Sequence, residues 1–460
     1  MRITIFVLLI FLFASCKKES FTSSPDDLLR LEVDTLHFDT VFSATGSTTQ
    51  GFKFFNDNSK GIHVSYIQLK GGNTSPFKIN VNGISGPGIS NIDIAADDSA
   101  YIFVSVTVNP SGGQLPFVVR DSIEIAYNGN KKLVQLEAYG QNAHFFRSRI
   151  ISGNETWNND LPYVILDGLE VAATAKLTIN KACKIYVHAD APIVIKGTLE
   201  VLGQKADNER VIFTGDRLDA PYRDFPASWP GIYFLNTSKD NIINYAIIKN
   251  AYQAIVVQSP AINSNPKLQL YETIIDNAYD AGILGVNTNI KAQNVLISNC
   301  GKNLVLVNGG DYQFTHCTIA SFSNNFIRHK DPVLFLSNYL SETPPNALMA
   351  NFINCIFWGD TSSLVKNEIV VLKNGGTSNV VFDHVLWNET ATPANVNSVI
   401  KAINLPPRLD SINTAKDFYD FRLKESSPAI NAGIISSVTL DLDGKARPIG
   451  LPDLGSYEKQ

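Results

Sequence analysis

The chain has little of what marks several common protein classes. Only two methionines occur in 460 residues, charged residues make up 18% of the chain, and no long helical pattern of apolar residues is present. The net charge of -5 gives no basic footprint for nucleic acid. Instead, 30 Gly and 21 Pro accompany 44% hydrophobic residues, which indicates an ordered chain with many turns. We therefore predict an all-β protein.

Cysteine is also scarce. None of the five cysteines forms a C-x-x-C pair, and the histidines show no ligand spacing, so we predict no metal and no cofactor. Two interpretations stay open for four of them, disulfide partners in an exported protein or small buried hydrophobes: Cys183, Cys300, Cys317 and Cys355.

The N-terminus carries an export pattern. Arg2 precedes an apolar run at residues 3–13, which is too short to span a bilayer, and Ala14 and Ser15 precede Cys16. This pattern resembles a bacterial lipoprotein signal. The resemblance implies a signal peptide at residues 1–15 and a fatty-acylated Cys16 as mature N-terminus. The alternative is a secreted protein with a chance cysteine.

Residues 16–30 are polar and predict a tether between the lipid and the first domain. Lys17 stands where an Asp would favour inner-membrane retention, so resemblance to sorted lipoproteins implies the outer membrane. Lys18 and Glu19 loosely resemble the surface-export signal of Bacteroidota lipoproteins. The choice between the periplasmic face and the cell surface stays open.

Residues 31–142 alternate between apolar and polar side chains in short runs, for example at 62–69 and 101–108. Such period-two runs, separated by turn residues, predict an antiparallel β-sandwich. The order of elements resembles Ig-like domains of the ASPM/SPD-2/hydin type, on Phe54-Phe55-Asn56, residues 75–79 and Ala138-Tyr139-Gly140. The resemblance implies a spacer or docking domain.

From residue 143 to 460 the sequence becomes repetitive. A marker isoleucine (Ile248, Ile275, Ile297, Ile319) recurs at steps of 27, 22 and 22 residues. A repeat of this length made of short strands and turns predicts a β-solenoid. The repeats resemble the right-handed parallel β-helix of the pectate-lyase-like superfamily, and the handedness is implied by that resemblance alone.

The end of the chain resembles the terminal coil of bacterial extracellular β-helix proteins, on residues 427–433, 441–448 and 453–458. We expect a terminal cap coil there. Its acids, Asp441, Asp443 and Asp453, do not have EF-hand spacing, and we expect them to pair with Lys445 and Arg447 and to pin the last coil.

The repeats place Asn250, Asn277 and Asn299 at equivalent positions before a turn. Stacked amides can bond to one another and to turn backbone, so we predict a structural ladder. A catalytic amide row is the alternative.

Enzymes of this superfamily need acids grouped in one groove. Asn287-Thr288-Asn289 has Asn where polygalacturonase-like enzymes carry an acid, and an uncharged Asn cannot be a general acid. Asp280 and the segment Arg328-His329-Lys330 fit solvated turns. A lyase or hydrolase would require four residues to converge: Glu272, Asp276, Asp311 and Arg328.

One irregular loop, residues 216–229, interrupts the repeats and combines aromatic with charged residues. Such residues on a loop are typical of binding hot spots. Our candidate recognition residues are Arg217, Tyr222, Arg223, Phe225 and Trp229. The alternative is that the loop folds back onto the solenoid with Trp229 in the packing.

Together these patterns predict a lipid-anchored envelope protein that acts as a non-enzymatic binding or accessory subunit of an outer-membrane or cell-surface assembly. Its partners would be the membrane, through Cys16, and other outer-membrane proteins or glycans. A polysaccharide-active or glycan-binding surface protein is the alternative.

Overall fold

The computed structural model describes residues 20–42, 46–47, 49–109, 117–341, 344–360 and 364–460. Two compact units divide the chain, Met1–Asn142 and Ala143–Gln460. Cys16 and the signal segment lie outside the described residues, so acylation stays a prediction. Among the described residues, no helix is long and apolar enough to cross a membrane.

In the described part of the first unit there are two sheets, one of six strands and one of five. Its strands are β1 Phe21–Thr22, β2 Arg30–Leu31, β3 Thr35–Phe42, β4 Gln50–Asn56, β5 Gly61–Leu69, β6 Phe77–Val81, β7 Ile84–Gly86, β8 Gly88–Ile94, β9 Asp98–Val106, β10 Phe117–Tyr127 and β11 Asn130–Gln141. Inward side chains from both sheets share one buried apolar cluster. Most ladders are antiparallel, as the alternating pattern predicts, but β1 pairs with β5 and β3 with β11 in parallel.

The segment that we expected to be a tether is partly folded. Phe21 pairs with Gly61 through the β1–β5 ladder, and Leu29 is buried with its amide donating to the Tyr127 hydroxyl. Residues 20–30 therefore pack on the first unit, because they carry apolar side chains and backbone groups that the sheets can pair. The tether prediction stands only for residues 16–19, outside the described part.

The described residues of the second unit form twenty-six strands joined in one large, mainly parallel sheet, consistent with a parallel β-helix. The prediction of stacked parallel coils is confirmed. These strands are β12 His144–Ile151, β13 Asn154–Trp157, β14 Tyr163–Val171, β15 Lys176–Asn180, β16 Lys184–Val187, β17 Ile193–Ile195, β18 Thr198–Leu202, β19 Val211–Gly215, β20 Ile232–Phe234, β21 Asn241–Asn244, β22 Ala246–Lys249, β23 Gln253–Gln258, β24 Leu268–Tyr271, β25 Ile274–Asp276, β26 Ala281–Gln293, β27 Leu296–Ser298, β28 Lys302–Thr315, β29 Thr318–Ser321, β30 Leu334–Ser337, β31 Leu348–Ile353, β32 Ile356–Gly359, β33 Ile369–Leu372, β34 Ser378–Asp383, β35 Val385–Trp387, β36 Ser398–Val399 and β37 Ala402–Ile403.

The parallel pairings fall into three columns that each coil visits in turn. The first column runs through β22, β25, β27, β29 and β32, the second through β20, β23 and β30, and the third through β21, β24 and β31. The long strands β26 and β28 contribute to both the second and the third column.

The marker isoleucines explain why the coils stack in this register. Ile248 lies beside Ile275, which lies beside Ile297, and all three are buried in one continuous core. Stacking identical inward residues removes apolar surface from water at every step, at about 25 cal/mol per Å². The core thus fixes which residues face outward at the turns between columns.

The last residues, which we call the C-terminal segment (407–460), do not form the expected cap coil. They lie along the outer face of the first column and include a short antiparallel hairpin, β38 Leu409–Asn413 and β39 Phe418–Leu423. The apolar cluster between the column and the segment contains Leu296, Ala320, Ile356, Leu386, Leu409, Phe421, Leu423, Leu442, Leu454 and Tyr457.

Hydrogen bonds from three coils hold this segment. Arg210 donates to the Leu442 carbonyl at 2.5 Å, Asn294 to the Leu440 carbonyl at 2.7 Å and Asn354 to the Ile434 carbonyl at 2.7 Å. The segment covers the first column because the outward row of that column is apolar and would otherwise be exposed.

Candidate functional site: an aromatic patch at the first corner

Two loops meet at the corner where the chain passes from the first to the second column. One is loop 216–229 between β19 and β20, and the other is loop 322–331 between β29 and β30. The centre of the Phe225 ring lies 5.2 Å from the centre of the Tyr222 ring and 5.1 Å from the centre of the Phe326 ring. The Arg217 guanidinium lies 4.0 Å from the Tyr222 ring centre. We call Arg217, Tyr222, Phe225 and Phe326 the aromatic patch.

The patch is open to solvent. Tyr222 is 43% exposed and Phe326 is 38% exposed. Arg217 is fixed by a bidentate ion pair with Asp219, at 2.8 and 2.9 Å. An arginine held over an exposed aromatic ring offers both a cation and an apolar surface to a partner.

Two of the three predicted ladder asparagines hold the first loop. The side-chain amide of Asn250 donates to the Arg223 carbonyl at 2.7 Å, and the side-chain amide of Asn277 donates to the Asp224 carbonyl at 2.9 Å. Asn277 also donates to the Asn250 side-chain oxygen at 2.9 Å. Both residues have positive φ, 64° and 55°, which Asn tolerates better than most residues.

Asn299 serves the second loop instead. Its side-chain oxygen accepts the Phe322 amide at 3.0 Å, at the start of loop 322–331. The three asparagines, which we call the asparagine bracket, therefore hold both loops. Only the hydrogen bond from Asn277 to Asn250 joins two of their side-chain amides. The sequence indicated the repeated asparagines but could not show that their donors reach backbone that is distant in sequence.

Trp229, which we included among the recognition residues, belongs to the packing. Its side chain is fully buried in the solenoid core and its indole donates to the Lys249 carbonyl at 2.9 Å. A bulky apolar ring at the end of the loop gains most by filling the core. Arg223, by contrast, is exposed and contacts Asp224 at 3.2 Å.

A second aromatic pair lies beside this corner and was not predicted. Tyr252 and Tyr279 stack at 5.9 Å and are 44% and 54% exposed. The Gln253 amide donates to Asp280 at 2.7 Å and Lys302 donates to the same carboxylate at 3.0 Å. The available signal was the recurrence of Asn-Ala-Tyr at 250–252 and 277–279.

The four residues that an enzyme would need lie on different parts of the coils. Glu272, between the third and first columns, accepts from Asn294 at 2.9 Å, whereas Asp276, in the first column, accepts from Ser298 at 2.6 Å. Burial raises the pKa of both carboxyl groups. Asp311 is exposed on β28, in the third-column part of that strand, and Arg328 is exposed in loop 322–331.

Asn287-Thr288-Asn289 forms the bend within β26 between its second- and third-column parts. Asn289 accepts the Ala261 amide at 2.9 Å. The segment Arg328-His329-Lys330 is only partly the exposed turn that we expected. Arg328 and Lys330 are exposed, but His329 is buried, with Nδ1 at 2.8 Å from Asp360 and Nε2 at 3.1 Å from Glu368.

The acids near the chain end bind protein groups. Asp441 and Asp453 are buried and accept backbone amides, such as those of Lys445 at 2.8 Å and Asn431 at 2.7 Å. Asp443 pairs with Arg422 at 2.8 Å and with Lys445 at 3.3 Å.

Within the described ranges, no group of three or more His, Cys, Asp or Glu side chains could hold a metal ion. Cys183, Cys300, Cys317 and Cys355 are free thiols, all buried, and burial raises the pKa of Cys183 to about 12.

No family model matches the chain, and no curated protein matches it. Several solved structures show partial likeness, including the following three. A family 123 glycoside hydrolase from Clostridium perfringens is 11% identical over 27% of this chain and 26% of its own, with a TM-score of 0.19. This chain thus spans about a quarter of that enzyme.

PapD-like domain 7 of human CEP192 is 10% identical over 28% of this chain and 92% of its own, with a TM-score of 0.18. The alkylpurine DNA glycosylase AlkC of Pseudomonas fluorescens is 10% identical over 29% and 33%, with a TM-score of 0.16. Similarities this weak carry no argument about function.

Proposed function

We propose that this protein is a lipid-anchored, non-enzymatic binding protein of the bacterial outer membrane, and that the aromatic patch is its docking surface for another envelope protein. The observation that carries the proposal is that buried Asn250 and Asn277 hold the backbone of loop 216–229 while Tyr222 in that loop stays exposed.

Such an arrangement favours binding because the loop is ordered in advance. Side chains that are already fixed lose less conformational entropy when a partner docks. Tyr and Arg are also the residues that most often dominate binding energy at protein interfaces. Arg217, fixed by Asp219 over the Tyr222 ring, combines both.

The remainder of the chain fits a presentation role. Cys16 would carry the lipid, residues 16–19 the tether, and the first unit would act as an Ig-like spacer. The second unit would be a right-handed β-helix of the pectate-lyase-like type that carries the patch. Replacing Cys16 by Ala should abolish labelling by a radioactive fatty acid and release the protein from membranes, since a lipid supplies about 0.8 kcal/mol per buried CH₂. Membrane association without label would contradict the anchor.

The docking proposal is tested by cross-linking and co-purification of the lipidated protein from intact envelopes. The double variant Tyr222→Ala/Phe225→Ala should lose its specific partner bands. The matched control is Tyr101→Ala/Phe103→Ala in the first unit, a stacked pair at 5.6 Å with both rings 42% exposed. If the two double variants retain the same partners, the patch is not the docking surface.

Glycan binding is the second candidate, and the Tyr252–Tyr279 stack favours it. Two exposed rings on successive coils, beside the Gln253, Asp280 and Lys302 side chains, offer apolar faces and hydrogen-bonding groups together. On an array of envelope polysaccharides, Tyr252→Ala/Tyr279→Ala should remove binding that Tyr222→Ala/Phe225→Ala keeps. Absence of glycan binding by the unmodified protein would remove this candidate.

A further inference from the structure

A buried histidine lies near the end of the second loop of the aromatic patch. His329 has both ring nitrogens next to carboxylates, Nδ1 at 2.8 Å from Asp360 and Nε2 at 3.1 Å from Glu368. The His329 and Glu368 side chains are almost completely buried. Two carboxylates can both accept hydrogen bonds from this ring only when the ring carries two N–H groups, which is the imidazolium form.

The same contacts determine the path of loop 322–331. Asp360 also accepts the Ser323 amide at 2.8 Å, and Ser323 accepts the His329 amide at 3.2 Å. Between them, the Asn324 side chain accepts the Phe326 amide at 2.8 Å and the Ile327 amide at 2.6 Å. Phe326, which packs against Phe225, is thus held between two ends that both depend on Asp360.

Gly359 leaves room for this cluster. A Cβ atom at this position would collide with both the Glu368 carboxylate and the His329 ring. The approach of histidine and glutamate therefore depends on a glycine in the neighbouring strand, β32.

We propose that His329 is a positioning residue of the aromatic patch: as a cation between Asp360 and Glu368 it fixes loop 322–331, so that the presentation of Phe326 is lost as the pH rises. This inference rests on the proposed function only where it assumes that the patch has a partner. The positioning of loop 322–331 by His329 does not depend on that partner.

The direction of the pH effect follows from the surroundings of the ring. Burial lowers the pKa of His329, but Glu368 and then Asp360 outweigh burial, so the pKa lies above its ordinary value. Glu389 also lies close to this pair; it interacts with Glu368 and accepts the Ile369 amide at 2.7 Å. Asp360 also interacts with the Tyr419 hydroxyl group. A raised histidine pKa gives stabilisation that is complete below about pH 6.5 and is lost as the pH rises through the folded-state value.

The test is hydrogen exchange of the full chain, read as protection factors corrected for intrinsic rates, from roughly pH 6 to pH 9. Between about pH 6.5 and the folded-state pKa of His329, the protection of peptides that cover 322–331 should fall by about tenfold for each pH unit. Peptides from β25 and β27 should keep their protection. A loop profile that does not change with pH, or changes in parallel with the core strands, would overturn the proposal.

His329→Gln removes the cation and keeps a side chain that can form hydrogen bonds. Its loop should show, at every pH, the low protection that the unmodified loop reaches at high pH. The matched control is His63→Gln in the first unit, where an exposed histidine pairs with Asp93 at 2.6 Å. Wild-type protection and pH dependence in His329→Gln would overturn the proposal, and if this variant does not fold, the pH series of the unmodified chain still decides.

Two results separate the role of His329 from the role of the patch in docking. If the loop loosens with pH but co-purified partners do not change, the patch is not the docking surface and His329 still positions the loop. If partner capture depends on Tyr222 and Phe225 but exchange in the loop ignores pH, the docking proposal stands and the role of His329 is wrong.

Discussion

Two parts of the second unit lie on the coils without belonging to their columns: the C-terminal segment and the aromatic-patch loops. The same device fixes both, because asparagines of positive φ at the corners of coils donate to distant backbone carbonyls. Asn294 and Asn354 hold the C-terminal segment, and Asn250 and Asn277 hold the first patch loop.

The two parts differ in what they do with aromatic and charged side chains. The C-terminal segment buries Phe421 and Tyr457 and pairs Arg447 with Glu458 away from water. The patch loops instead leave Tyr222 and Phe326 exposed. The same kind of asparagine hydrogen bond thus holds two different structures. The C-terminal segment covers an apolar sheet face, whereas the patch loops expose apolar side chains to solvent.

The largest effect should come from breaking the buried ion pair of the C-terminal segment. Arg447→Met leaves the Glu458 carboxylate without its cation and should lower the free energy of unfolding by about 3–5 kcal/mol. Chemical denaturation measures it, with Arg223→Met as control, because Arg223 is exposed and pairs with Asp224 at the surface. Equal stability of the two variants would show that the segment does not depend on its buried charge.

The sequence predicted the core of this fold better than what lies on it. The Ile248, Ile275 and Ile297 repeat predicted the stacked coils because inward rows must match from coil to coil. The placement of the C-terminal segment could not be predicted, because outward apolar residues such as Leu296 and Ile356 are compatible with any partner.

The candidate site was predicted in part. Repeated asparagines and an aromatic loop stand out in the sequence. Their contact depends on tertiary structure, because Asn250 and Arg223 lie 27 residues apart in the chain. Trp229 and Tyr222 share a loop, and only the structure separates the buried ring from the exposed one. His329 was expected in an exposed turn because Arg328 and Lys330 beside it are charged, while its partners Asp360 and Glu368 follow 31 and 39 residues later.

The next largest effect concerns the asparagine bracket. Asn277→Leu removes the donor to Asp224 and to Asn250 and should cost about 1–3 kcal/mol, since the buried acceptors lose their partner. Hydrogen exchange should also rise in loop 216–229. The control is Asn91→Leu, an exposed asparagine with a φ of 61°, which carries a similar backbone strain without the bracket. An unchanged melting midpoint in Asn277→Leu would mean that the loop does not need the bracket.

Stability measured as a function of pH should distinguish the C-terminal segment from the patch loops, because the two should respond to pH in opposite directions. Burial and Arg447, which contacts Nδ1 directly, lower the pKa of His316 to about 2, so the folded chain keeps this ring neutral. The unfolded chain takes up the proton below about pH 6.5, so the contribution of His316 is present above that pH and is lost on acidification, by up to about 1.4 kcal/mol per pH unit.

This is opposite to the response that we expect for His329. His316→Asn should remove the acid sensitivity, because Asn294 and Asn354 occupy equivalent corners. His384→Asn, at another corner of the same row, should keep it. Denaturation at pH values on both sides of 6.5 measures the difference. Equal acid sensitivity of the unmodified chain and His316→Asn would contradict a neutral buried ring.

The smallest effect should come from the exposed member of a matched pair of tyrosines. Tyr222 in the patch and Tyr457 in the C-terminal segment each lie beneath an arginine, Arg217 at 4.0 Å and Arg422 at 5.0 Å. They differ in burial, since Tyr222 is 43% exposed and Tyr457 is buried. Tyr222→Ala should change the free energy of unfolding by less than about 0.5 kcal/mol, because the ring leaves no cavity, whereas Tyr457→Ala should cost about 3–5 kcal/mol. Denaturation of both variants decides whether burial alone separates the two parts: a large loss in Tyr222→Ala would mean that the patch is packing, and the exposed ring could then no longer be assigned to a partner.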